Sequence, residues 1–216
     1  MPENECENDQ IRYNNWSTNT PVITVNRANA PSVNAKEREY IQKAKPSKIL
    51  DIGCGNGTRL FSHLQRENID FVGLEKFERL VDNREYAGNI IIEDLLEWNT
   101  EDYSAELTHV DVITIFGGSL LGIFCLKNQI RAWQKIHEIL PENGRVIFDA
   151  LKVDGFETLD EIGTFTVHPV FTPPQYFLSE SQLKEIWSNL GFEIIEYSDE
   201  RVPVPFLIRY YLLQKK

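Results

Sequence analysis

The sequence predicts an α/β protein, a doubly wound and mostly parallel seven-stranded sheet with one antiparallel C-terminal strand. Three observations carry this expectation. Short apolar runs alternate with segments of helical periodicity, the pattern of a parallel sheet covered on both faces. The link between the last two apolar runs is too short for a helical crossover, so those strands pair antiparallel. A glycine-rich turn, "DIGCGNG", follows the first run, on the side where such sheets hold ligands.

The elements follow in order. "NAKEREYIQKAK" is the first helix, with Asn34 as N-cap and Pro46 as the stop. "KILDI" (48–52) is a buried strand, and residues 57–66 set Leu60, Phe61 and Leu64 on one helical face. "DFVGLE" (70–75) and "NIII" (89–92) read as strands. "VDVITIF" (110–116), β-branched and apolar, reads as a central strand buried on both faces. Leu126, Ile130, Trp133, Ile136 and Leu140 recur at helical spacing until Pro141, and "RVIFDA" (145–150) is the fifth strand. "SESQ" (179–182) has the form of a capping box, opening a helix that Gly191 ends. "FEIIEYS" and "FLIRYYLLQ" are the last two strands. Residues 1–34, rich in Asn, Thr, Ser and Pro, form an N-terminal arm and possible lid, and residues 35–216 form one domain.

Composition narrows the function. The 216 residues are 42% hydrophobic and 25% charged, as in soluble globular proteins. No apolar run approaches the roughly 20 residues that span a bilayer, so no membrane partner is expected. "MPENECENDQ" carries four acids and no base, unlike a signal or transit peptide. Cys6, Cys54 and Cys125 are too few and too scattered for a disulfide framework or a zinc site, so all are expected reduced, in the cytoplasm, and no metal is expected. The net charge of −11 argues against nucleic acid as a substrate, because binding its backbone requires Lys and Arg.

The glycines at 53, 55 and 57 let backbone turn sharply or lie close to a ligand, and a plain tight turn is the alternative. A dinucleotide site has the spacing G-x-G-x-x-G/A. Here the spacing is G-x-G-x-G, with Thr at 58, and Asp51 two residues before the first glycine would oppose a pyrophosphate. A cationic or zwitterionic ligand suits that acid better. Glu75 alone does not separate the two classes, since it follows Gly53 at a distance that a dinucleotide site also accepts.

"LDIGCGNG" resembles the first motif of the class I S-adenosylmethionine-dependent methyltransferases, and further landmarks extend the resemblance over residues 35–214. It implies that the cofactor is S-adenosylmethionine, leaving as S-adenosylhomocysteine, and that Asp51, Gly53, Cys54, Gly55, Glu75, Lys76, Asp94, Leu95 and Phe116 surround it. Glu75 corresponds to the acid that binds both ribose hydroxyls. Asp94 in "EDLLEW" corresponds to the acid that receives the adenine amino group, and Leu95 would offer its backbone N–H to the ring. Asp94 also reads as an N-cap for a following helix, and Phe77 as either an adenine contact or core. Cys54 reads as a small buried side chain lending its backbone. "VDVITIFGGS" corresponds to the motif beneath the methionine part. "FGGS" lacks the Asn/Asp-Pro-Pro-Tyr/Phe stretch of relatives that methylate nucleobase amines or release-factor glutamine.

The resemblance implies transfer of a methyl group to a small-molecule acceptor, an N- or O-nucleophile, by in-line displacement. Asp149, at the carboxyl end of the fifth strand, is a candidate to hold an amine or take its proton, with a bond to neighbouring backbone as the alternative. His168, in "TVHPVFTPPQYF", is a second candidate, with an ordinary loop histidine as the alternative. Tyr13, Trp16, Ser119 and Tyr176 are candidates for the acceptor pocket. A protein or peptide methyltransferase and a cofactor-binding module without turnover remain open beside this reading.

Overall fold

Lys48–Ile52 (β1) alternates side chains between two interiors, and that alternation organises the molecule. Ile49 packs into one core cluster while Leu50 and Ile52 pack into the other. A strand buried on both faces must be covered twice, and the helices do this. The computed structural model describes residues 33–81, 85–116, 125–153, 178–201 and 206–216. The remaining strands are Asp70–Glu75 (β2), Ile90–Ile92 (β3), Val112–Ile115 (β4), Arg145–Val153 (β5), Phe192–Arg201 (β6) and Phe206–Lys215 (β7). They form one seven-stranded sheet in the order β3-β2-β1-β4-β5-β7-β6. The pairings β1–β2, β1–β4, β2–β3 and β4–β5 are parallel, while β7 runs antiparallel to both β5 and β6. The expected architecture is therefore present, with the antiparallel strand one place in from the sheet edge.

Ala35–Ala44 (α1) and Thr58–Arg66 (α2) cover one face, burying Tyr40, Ile41, Leu60, Phe61 and Leu64. The helix α1 begins at a full capping box. The Asn34 side chain accepts from the Glu37 N–H, and the Glu37 carboxylate accepts from the Asn34 N–H. It ends at Lys45 in the left-handed region, just ahead of Pro46. A single turn, Ser104–Leu107 (α3), precedes β4. Leu126–Ile139 (α4) and Glu180–Asn189 (α5) cover the other face, where Trp133 and Trp187 stack edge to face at 5.4 Å among Phe148, Phe192 and Tyr211. The capping box at Ser179 and the left-handed Gly191 bound α5 as expected.

β5 runs to Val153 because β7 pairs with it along its whole length. Asp149 thus lies within the strand rather than at its end, a correction to the sequence expectation. It stands one residue beyond Phe148, the last residue of β5 that pairs with β4. Arg209 on β7 grips Asp199 on β6 through two bonds of 2.5 and 2.7 Å, reaches Glu180 at the start of α5, and lies 4.9 Å over the Tyr197 ring. Cys125, the N-cap of α4, is disulfide-bonded, so the expectation of three reduced cysteines is corrected there. Spacing along the chain says nothing about which sulfurs folding brings together. Among the described residues, no helix is long and apolar enough to cross a membrane.

Candidate active site

The strand order reverses between β1 and β4, which leaves a crevice outside their carboxyl ends. The loop 53–57 borders it on one side and Phe116 on the other. Gly53, Gly55 and Gly57 all have positive φ, at 73, 57 and 74°. The N–H groups of Gly53 and Cys54 donate to the Leu74 carbonyl at 2.7 and 3.3 Å, tying the loop to β2. Gly57 has a separate task as the N-cap of α2. A Cβ there would stand 2.3 Å from Phe61 Cδ2, so its missing side chain lets the Phe61 ring fold back against the turn.

Glu75 ends β2 and is nearly buried, at 6% exposure. Its Oε2 accepts from the Gly55 N–H and its Oε1 from the Phe77 N–H, both at 3.0 Å. Burial pushes its carboxyl above the usual range, while the Phe77, Gly55 and Lys76 N–H groups hold it down. Each oxygen has capacity for a further donor, which is what a vicinal diol offers.

Asp94 is an acceptor at both oxygens. Oδ1 takes the Leu96 N–H at 3.0 Å and Oδ2 takes the Lys76 ammonium at 2.7 Å. The segment after it is a turn rather than a helix, with the Asp94 carbonyl accepting from Glu97 and Trp98. The Leu95 side chain is buried in the core, and its N–H has no hydrogen-bond partner among the described residues. Phe77 packs against the same core cluster.

Asp51 on β1 is buried on the α1–α2 side and accepts from Thr114 Oγ1 at 2.7 Å across the β1–β4 pair. Burial pushes its carboxyl up to about 7, against the Thr114 bond and the Arg59 charge, while Glu37 and Glu75 push it further up. Arg59, in the first turn of α2, is ion-paired with the buried Glu37 and lies 6.0 Å over the half-buried Phe116 ring. The Cys54 sulfur sits where a Cβ on Gly73 would be, and burial beside Asp51 and Glu75 pushes its thiol well up. A thiol so disfavoured as thiolate is not a nucleophile. No group of three or more His, Cys, Asp or Glu among the described residues could hold a metal ion.

The "Methyltransferase domain" family model matches residues 27–197, most of the chain and all of this crevice. The chain belongs to the methyltransferase-domain family. No curated protein sequence matches it. Solved structures share the fold at low identity. A 1,6-didemethyltoxoflavin-N1-methyltransferase from Burkholderia thailandensis, holding 1,6-didemethyltoxoflavin and S-adenosylhomocysteine, is similar at 16% identity, with 96% of this chain and 87% of that one covered and a TM-score of 0.66. A magnesium protoporphyrin IX methyltransferase from Synechocystis, with bound S-adenosylhomocysteine, is 14% identical over 96% of this chain and 100% of that one, at a TM-score of 0.60. A TehB-like S-adenosylmethionine-dependent methyltransferase from Corynebacterium glutamicum is 19% identical over 100% of both chains, at 0.58.

In this methyltransferase the cofactor candidates Asp51, Gly53, Cys54, Gly55, Glu75, Lys76, Asp94, Leu95 and Phe116 all lie along the carboxyl edge of β1, β2, β3 and β4. Asp149 is 2% exposed and is paired across β5–β7 with Tyr210, whose hydroxyl accepts from Asn34 Nδ2 at 2.8 Å. His168, Tyr13, Trp16, Ser119 and Tyr176 lie outside the described residues. Sequence reasoning missed Arg59, Glu37 and Thr114. The Asn-x-x-Glu capping box marks Glu37 in the sequence, but nothing there marks its partner.

Proposed function

We propose that this methyltransferase transfers the methyl group of S-adenosylmethionine to a small-molecule acceptor with a nitrogen or oxygen nucleophile. The observation that carries the cofactor reading is Glu75, fixed by the Gly55 and Phe77 N–H groups and still able to accept from two hydroxyls of a ribose. Asp94 Oδ2 and the Leu95 N–H offer an acceptor and a donor side by side, which matches the amino group and ring nitrogen of adenine. Bound there, S-adenosylmethionine supplies a methyl group on a positive sulfur, an activated leaving group. The chain's part is to hold the two reactants in line and exclude water. A base is needed only for an acceptor that arrives protonated, and Asp149 and His168 are our candidates for that role.

Three observations support a small acceptor. The net charge of −11 disfavours nucleic acid. Residues 116–119 lack the Pro-Pro stretch of the amide and nucleobase methylating relatives. Two structural neighbours carry small heterocyclic acceptors in their names. The test is calorimetric titration with S-adenosylmethionine, S-adenosylhomocysteine and NAD, then an acceptor screen reading S-adenosylhomocysteine release. Release driven by small amines or phenols supports the reading, whereas release driven only by protein or peptide acceptors overturns it.

Asp51 gives this reading a pH signature. Its ordinary value is 3.8, and in the folded chain it rises to about 7. The folded state therefore holds this proton more tightly than the unfolded one. Stability from it is present below the ordinary value and is lost as pH rises through 7. A cationic ligand favours the ionised form, so binding near pH 7 is expected to release about half a proton. Release should fall to zero as pH rises well above 7, and Asp51→Asn should abolish it. Calorimetry in buffers of different ionisation heat reads this directly. A second expectation concerns Lys76, whose ammonium occupies the oxygen assigned to adenine. Lys76→Met is expected to tighten S-adenosylhomocysteine binding by about three-fold at low salt and to flatten its salt dependence.

A further inference from the structure

The strand β3 is a poor anchor for the turn that follows it. It is three residues long, lies at the sheet edge and pairs only with β2. Within the turn, three N–H groups converge on Asp94. That of Leu96 donates to Oδ1 at 3.0 Å, and those of Glu97 and Trp98 donate to the Asp94 carbonyl at 3.0 and 2.8 Å. Each of these three residues is held a second time, always by α4. Lys135 Nζ donates to the Trp98 carbonyl at 3.1 Å. Arg131 Nη2 reaches the Leu96 carbonyl and Glu97 Oε1, both at 3.4 Å.

Arg131 and Lys135 stand four positions apart, so one face of α4 presents both cations to the turn. That face is rigid, because Ala132, Trp133 and Ile136 beside them are buried in the core that also takes the Trp98 side chain. On the other flank of Asp94, Glu93 accepts from the Tyr103 hydroxyl at 3.0 Å. The Lys135 side chain is 29% exposed, and its carboxylate neighbour, Glu138, is 3.8 Å away and more exposed still. Removing the ammonium therefore strands no buried charge.

We propose that Lys135, seconded by Arg131, is a positioning residue for adenine recognition, holding the turn so that the Asp94 carboxylate and the Leu95 N–H stay in register. This rests on the S-adenosylmethionine reading and extends it to residues that touch no part of the cofactor. Recognition of adenine needs an acceptor and a donor at fixed separation. Hypoxanthine, with an oxo group for the amino group and a proton on the ring nitrogen, presents the opposite pattern to both, and a well-held site rejects it.

The test is calorimetry with S-adenosylhomocysteine and S-inosylhomocysteine on the full chain, with thermal melts alongside. The unaltered chain is expected to prefer the adenine compound. Lys135→Met is expected to weaken S-adenosylhomocysteine by about ten-fold, the range of one hydrogen bond from a charged donor, and to leave S-inosylhomocysteine within about two-fold. Its melting midpoint should stay within about 4 °C. Lys135→Arg, which can reach the same carbonyl, should recover most of the preference. Arg131→Met, whose contacts are longer, should act in the same direction by less and gives the reading should Lys135→Met not fold. Lys184→Met, which removes an exposed cation from α5, should change nothing. Equal weakening of both compounds, an unchanged preference in Lys135→Met, or the same loss in Lys184→Met overturns the assignment. An unaltered chain that binds the two compounds equally overturns it together with the adenine role of Asp94. An unaltered chain that binds neither overturns the cofactor reading and this assignment with it.

Discussion

Replacing Glu75 with alanine is expected to weaken S-adenosylhomocysteine binding by about 100-fold or more, the loss of two charge-assisted hydrogen bonds. The loss has two sources. In the proposed site the ribose hydroxyls lose their acceptors, and the Gly55 and Phe77 N–H groups lose the carboxylate that orients them. Gly55 sits in the loop that the proposed site lays the cofactor against, so its disorder would spread the damage beyond the ribose. Folding should survive, because burial already disfavours this carboxylate and the loop keeps its two bonds to the Leu74 carbonyl. Glu75→Gln should bind almost as poorly, since its amide nitrogen would point a donor at an N–H that needs an acceptor. Calorimetry of both variants, with thermal melts alongside, checks this. Affinity within about three-fold of the unaltered chain would remove Glu75 from the site.

Gly57→Ala is expected to destabilise the fold by about 2–4 kcal/mol, combining the cost of a left-handed backbone with overpacking against Phe61. Its φ is +74°, and the new Cβ would stand 2.3 Å from Cδ2 and 2.5 Å from Cε2 of that ring. Phe61 cannot turn aside, because it is stacked on Phe71 at 4.4 Å and meets Tyr86 edge-on at 5.7 Å. Gly88→Ala is the control, as its Cβ would meet nothing within 4 Å. Urea unfolding should show a lower midpoint with an unchanged slope for Gly57→Ala and no shift for Gly88→Ala. Equal midpoints for the two would mean that the third glycine is not there for the ring.

What the sequence made legible was local. Ser179 and Gln182 lie three positions apart and announce a helix start wherever they occur, and Asn34 marks another as an N-cap. Ile49 and Leu50 show a strand buried on both sides because their alternation is intrinsic to the chain. The positions of Gly53 and Glu75 were legible for the same reason, since Gly53 directly follows β1 and Glu75 ends β2. What stayed hidden was pairing at a distance. Glu37 meets Arg59 across 22 positions, Asn34 meets Tyr210 across 176, and Lys76 meets Asp94 across 18. Asp149 was placed at a strand end because the apolar run stops there. Only the β7 partner, which no local pattern reveals, carries β5 on to Val153.

The placement of β7 between β5 and β6 also orders assembly in time. A ribosome delivers Phe192–Arg201 before Phe206–Lys215, yet β6 contacts the rest of the sheet only through β7. The earlier strand must therefore wait for the later one, and the two join the sheet in a single event. Its latch is Lys215, whose ammonium donates to the His137 and Leu140 carbonyls at 2.9 and 2.8 Å. A premature stop before Phe206 would thus cost two strands, leaving β5 as a bare edge open to other chains.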